Sequence, residues 1–179
     1  MKRVLIAILT LVASLGLAQS AGSYVGAVPN SKAFIAVVLG EQGKALAYLC
    51  DSESIALWFR GKLEGGVLEL RGADGQRLQG RVGSEVSGQI TLPDGRVLGF
   101  SAPAASGEAG LYRYEGSQSG NAYVGGWIID QKGEQRGAVI GGGALSPVVL
   151  SPKTLQAEHR LLGKLLAWLV TPQWVTQSN

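Results

Sequence analysis

The sequence predicts a mainly β chain. It should be an antiparallel meander of about ten short strands that closes into a small barrel or a sandwich, with one amphipathic helix near the C-terminus. Three observations predict this. Asp74-Gly75 and Asp94-Gly95, twenty residues apart, each join two runs of alternating apolar and polar residues. Asp-Gly between such runs is a strong hairpin signal, because Gly accepts positive φ and the primed turns match strand twist. The 27 glycines recur with Asp and Pro at turn-like intervals, which favours many short strands over many helices. From 153 to 170 the spacing changes, and Leu155, Leu162, Leu165, Leu166 and Leu169 recur at helical intervals.

The chain begins with a targeting pattern. Lys2 and Arg3 form a positive start, residues 4–17 are almost wholly apolar, and Gly16 and Ala18 offer small residues before Gln19. This reads as a signal peptide over 1–18, cleaved on export to the periplasm or the exterior. The apolar run is short for a membrane span, which needs about 20 residues. Removing Lys2 and Arg3 from the 16 basic residues leaves 14 against 13 acidic ones, a net charge near +1. The charges form no run of like sign, so nothing in the sequence suggests a nucleic-acid partner.

A β domain is expected over 24–143. Residues 24–28 read as a strand. Residues 34–39 (FIAVVL) and 44–50 flank a turn at 40–43, and their lack of alternation suggests a hairpin buried on both faces. Residues 55–60 follow a polar connection, and 61–66 read as a turn. The meander 67–101 alternates cleanly, with glycines on its inner face, which points to a tightly coiled sheet or to close approach of another element. Residues 102–110 and 117–121 read as loops around a strand at 111–114. Residues 123–130 form a strand with a bend at Gly125-Gly126, and 136–140 returns. The extension 144–179 should carry a helix over about 152–170 packed on the β domain, started by Ser151-Pro152 and stopped by Thr171-Pro172. Short sequential connections favour the barrel over the sandwich. Runs of six or seven residues are short for a transmembrane barrel, whose strands need about nine to eleven.

Chemistry is sparse. Cys50 is the only cysteine and sits in an apolar run, so burial is favoured over pairing between chains. His159, the only histidine, falls on the expected helix, away from any nucleophile motif. Asp51 and Glu53 lie close together in a loop, but no metal-ligand spacing and no cofactor motif occurs. Asp74 and Asp94 are explained as turn formers. The glycines at 141–143 lack the Lys-Ser/Thr of a phosphate loop. Trp58, Tyr112, Tyr114, Tyr123 and Trp127 fall on strands. If they share one side of a barrel they would line an apolar or sugar-binding pocket, and otherwise they are core packing. The expected helix, with His159, Arg160 and Lys164 among its polar residues, would pack its leucines over an open barrel end or across an exposed sheet edge or, less favoured, rest on a membrane surface.

The runs AYLCD at 47–51, WFRG at 58–61, GLYR at 110–113 and GWI at 126–128 resemble those of a group of bacterial exported β-rich proteins with no established activity. The resemblance covers about 24–137 and implies export and a β fold. The reading that follows is an exported, non-enzymatic β domain that binds a small ligand or a cell-envelope partner. The alternatives are an envelope hydrolase using two carboxylates and a protein held at a membrane surface by its C-terminal helix.

Overall fold

The computed structural model describes residues 21–178; the signal peptide read over 1–18 lies outside them. The first eight strands are β1 (Gly22–Ala27), β2 (Phe34–Leu39), β3 (Lys44–Cys50), β4 (Ala56–Glu64), β5 (Val67–Arg71), β6 (Arg77–Val82), β7 (Glu85–Thr91) and β8 (Val97–Pro103). They pair in chain order into one antiparallel sheet. The sheet nearly closes on itself. Tyr24 bridges Ala104, and the Ala105 N–H donates to the Ser23 carbonyl at 2.8 Å. Both Asp-Gly hairpins form where the sequence places them, with Gly75 and Gly95 each at φ 84°.

The barrel interior is a packed core of Ile35, Val37, Leu49, Phe59, Leu70 and Ile90, among others. The inner-face glycines permit its tight coil. A Cβ on Gly61 would strike the Glu69 carbonyl of the neighbouring strand, and one on Gly88 would strike that of Gln79.

A second sheet covers part of the barrel. It comprises β9 (Gly110–Gln118), β10 (Asn121–Ile129), β11 (Gln135–Gly141), β12 (Ala144–Pro147) and the two-residue β16 (Trp168–Leu169), in the order β12-β11-β10-β9-β16. Leu111, Ile128 and Ala138 press onto Val25, Phe34, Ala36, Val38 and Leu46 of the barrel wall. The unbroken apolar runs of β2 and β3 are therefore buried on both faces, as their composition predicts. The other face of the second sheet packs Tyr112, Trp127 and Val139 against a small third sheet of β13 (Leu150–Ser151), β14 (Gln156–His159) and β15 (Gly163–Leu166). The described residues are thus mainly β, with a nearly closed barrel, two added layers and one short α-helix, α1 (Pro172–Gln177).

The helix expected over 152–170 is not formed. Those residues form β14, β15 and β16, and the helix begins only at Pro172. Two features defeat the helical reading. Leu155 sits at φ 55° and Gly163 at φ 69°, and neither angle fits a helix. The segment also carries a period of two: Leu165 and Ala167 turn inward onto the second sheet, while Leu166 turns out. Covering that sheet's apolar face outweighs a spacing that fits a helix only in part. A membrane contact through that helix loses its basis. Two loops are also shorter than expected. Residues 61–64 extend β4, and β9 and β10 run to a turn at Ser119-Gly120.

Candidate functional site

β9 alternates across the second sheet. Tyr112 faces the third sheet, whereas Leu111 and Arg113 face the barrel. Arg113 is thereby carried into the layer between barrel and sheet, where its side chain is only 8% exposed. On the barrel wall opposite, Tyr48 of β3 and Trp58 of β4 are cross-strand partners, and their rings stack at 4.2 Å between centroids. Gly126 of β10 lies beside Arg113 in register, and its missing side chain makes room for this pair. A Cβ there would lie 2.5 Å from the Tyr48 ring and 2.8 Å from the Trp58 ring.

The Arg113 guanidinium sits 4.1 Å from the Trp58 ring centroid and 5.8 Å from that of Trp174 on α1. Cation–π contacts of this kind gain from desolvation. Trp168 of β16 is the direct cross-strand partner of Arg113, and its ring lies 6.2 Å from Trp174. The helix holding Trp174 is fixed by Thr171, whose Oγ1 accepts the Trp174 N–H at 3.2 Å. Its far end is tied to the barrel, where Lys44 Nζ donates to the Thr176 carbonyl and the Glu41 N–H donates to Thr176 Oγ1, both at 2.8 Å.

Arg113 Nε donates to Glu115 Oε1 at 2.6 Å. Its Nη1 is buried without a partner, and so are Tyr48 Oη, Trp58 Nε1 and Trp168 Nε1. These are the unpartnered buried side-chain polar atoms among the described residues, and all belong to this one cluster. Each can donate a hydrogen bond. Leaving such an atom unsatisfied costs roughly 1–3 kcal/mol, so four in one place is a costly arrangement that an acceptor would relieve. Burial lowers the Arg113 pKa and Arg60 nearby adds to this, while Glu115 opposes both. Arginine nonetheless stays protonated. Burial pushes the Tyr48 phenol well up, and the neighbouring Cys50 adds to the shift. The Cys50 thiol is near that hydroxyl but falls short of hydrogen-bond geometry with it.

The four unpartnered atoms are enclosed, and of the cluster's rings only Trp174 borders a surface cavity. A shallow cavity of about 230 Å³ runs from Trp174 and Val175 over Leu46 to Arg60 and Lys62. A second, of about 460 Å³, continues from Arg60 and Lys62 to Glu69 and Arg71.

The five aromatics singled out from the sequence do not share one side. Trp58 belongs to the Arg113 cluster. The other four lie across the second sheet, in the layer under β13 to β15. Trp127 is fully buried there, with its Nε1 donating to the Val148 carbonyl at 2.7 Å, and the Tyr112 hydroxyl donates to the Glu108 carbonyl at 2.7 Å. Tyr114 and Tyr123 pack at the margin of that layer. The sequence does not single out Arg113, Tyr48, Trp168 or Trp174 as site residues. The available signal was Arg113 itself, a charge amid the apolar and aromatic residues 111–114 of a strand.

Other reactive groups are occupied structurally. His159 is buried in the β14–β15 turn, and its Nδ1 accepts the N–H groups of Leu161 and Leu162 at 3.3 and 3.2 Å. Cys50 is fully buried, and burial raises its pKa. Asp51 Oδ1 closes its own loop by accepting the N–H groups of Glu53, Ser54 and Ile55, each at 2.8 Å. Asp130 does the same for Lys132 and Glu134. Among the described residues, no group of three His, Cys, Asp or Glu is placed to hold a metal ion. No protein-family model, no curated protein and no solved structure matches the chain, so the resemblance to exported bacterial β-rich proteins gains no support from comparison.

Proposed function

We propose that the protein is an exported, non-enzymatic binding domain that receives an acceptor-bearing or anionic group at the Arg113 cluster. That group would belong to a small ligand or to a cell-envelope partner. One observation carries the reading: three buried polar groups without partners gather around one sequestered guanidinium, whose own Nη1 is also unpartnered. Natural interiors rarely leave such groups unsatisfied, and a concentration of them calls for a specific reason. The occupation of His159, Asp51 and Asp130 by their own turns supports binding over catalysis. Carboxylate hydrolysis has less behind it. Glu64 and Glu69 flank one cavity, but both are exposed on an open sheet face, and Lys62 lies 3.8 Å from Glu64.

Titration calorimetry with acetate, glucuronate and inorganic phosphate tests the site. At least one should bind the mature protein saturably. Trp58→Phe with Trp168→Phe, which keep rings but remove two donors, should weaken that binding tenfold or more. If no probe binds, or the double variant binds equally well, the reading fails. Export is tested separately by N-terminal sequencing of the secreted protein, which should begin at Gln19; retention of residues 1–18 in a cytosolic product overturns it.

A further inference from the structure

The outer wall of the barrel carries a second feature, which adjoins the Arg113 cluster at Arg60. In the register of β4, β5 and β6, Arg60 lies directly opposite Arg71, and Arg71 directly opposite Arg77. Three arginines thus form one row across three strands, all exposed on the outward face. Neighbouring strands lie about 4.8 Å apart, so the row spans about 10 Å with no acid inside it. Like charges directly opposite one another destabilise a sheet. The side chains of Arg71 and Arg77 make no ion pair among the described residues. The sequence hides this row, because its members are eleven and six residues apart and separated by turns.

The rows beside it have different chemistry. Lys62, Glu69, Gln79 and Gln89 are successive cross-strand partners, and Glu64 lies beyond them. Arg60, Arg71, Glu64 and Glu69 line the same 460 Å³ depression. The wall therefore offers a line of guanidinium forks flanked by a row of one lysine, one carboxylate and two amides. Guanidinium forks take carboxylates or sulfates bidentately. The flanking acceptors suit hydroxyl donors. Glu69 beside the row disfavours a DNA backbone, whose phosphodiesters bring it no hydroxyl to accept.

We infer that the outward face of β4 to β6 binds an acidic polysaccharide, with Arg60, Arg71 and Arg77 on successive anionic groups and Glu69 and Gln79 on sugar hydroxyls. This names a partner class for the binding reading above but uses other residues, so the two stand or fall separately.

The test uses the mature chain with three polymers: polygalacturonate, neutral dextran and single-stranded DNA of matched charge. Polygalacturonate should bind, more weakly as salt rises, and dextran should not. Arg71→Gln with Arg77→Gln should weaken polygalacturonate binding at least tenfold. The melting temperature of that variant should not fall, because a like-charge contact has been removed. Trp58→Phe with Trp168→Phe should leave polygalacturonate binding intact even where it abolishes binding of the small probes. Unchanged affinity in the double arginine variant overturns the inference. So does DNA binding as tight as that of polygalacturonate, which would mark a generic polyanion surface.

Discussion

The outward faces of β3 and β6 belong to one sheet and carry opposite chemistry. On β3, Leu46, Tyr48 and Cys50 point outward and are buried, because the second sheet and α1 cover them. On β6, Arg77, Gln79 and Arg81 point outward and meet water. The inward faces of both strands are apolar and join the same barrel core. What separates the two walls is the extra layer, and the Arg113 cluster sits where that layer ends. There the Arg113 guanidinium is enclosed, whereas on the uncovered wall the Arg77 side chain meets water.

The sharpest way to break this contrast is to truncate one outward side chain on each wall. Leu46→Ala should cost about 2–5 kcal/mol, the range for a fully buried leucine. Gln79→Ala, outward on the wet wall, should stay within about 0.5 kcal/mol. Denaturant unfolding of the two variants checks this, and equal costs would mean the second sheet does not seal the β3 wall. A glycine pair gives a smaller contrast. Gly126→Ala drives a methyl into the Tyr48 and Trp58 rings and should cost about 1–3 kcal/mol as overpacking. At Gly99 a Cβ would meet only the Gly88 carbonyl, at 4.0 Å, so Gly99→Ala should be neutral or slightly stabilising by thermal unfolding.

The two walls also explain what could be read in advance. Alternation in 77–82 and 86–92 shows a wet face, and its absence in 34–39 and 44–50 shows a covered one, so the barrel and its doubly buried hairpin were legible. The identity of the cover was not. Nothing local says that β9, β10 and β11 lie over β2 and β3, because that pairing of layers is set by long-range packing. The same gap hid the site. Arg113 becomes unusual only when Trp58, Trp168 and Trp174, far apart in the chain, converge on it. In 152–170 the leucines fit two periods, and only the positive φ at Leu155 and Gly163 separates them. Gly163 was visible in the sequence and argued against a helix.

The third sheet offers a test of that reinterpretation. If residues 156–166 are a hairpin, His159 matters as a turn acceptor. His159→Ala strips the Leu161 and Leu162 N–H groups of their acceptor and should cost about 0.5–1.5 kcal/mol, because both bonds lie only partly buried. His159→Asn, whose carbonyl can serve the same donors, should recover part of the loss. A helix would show no such recovery, because a mid-helix Asn serves no turn.

The smallest expected effect concerns the loop joining the two-sided hairpin to β4. Burial, the largest single influence on Asp51, raises its pKa. The N–H groups of Ile55, Ser54 and Glu53, with the Ser54 hydroxyl, together outweigh it and hold the carboxyl below the ordinary aspartate value. A depressed folded-state value means the ionised form is favoured by folding. Its contribution is present above the unfolded-state value and is lost as pH falls through the lower folded value. Asp51→Asn keeps an acceptor but removes the titration. The stability difference between wild type and this variant should therefore be largest near neutral pH and shrink below about pH 4, the ordinary aspartate value. Asp51 is partly exposed, so solvent screening keeps the difference small. Paired thermal melts from pH 7 to pH 3 read it directly. A difference that stays constant across that range would place the loop's stability in its backbone turn rather than in the charge on Asp51.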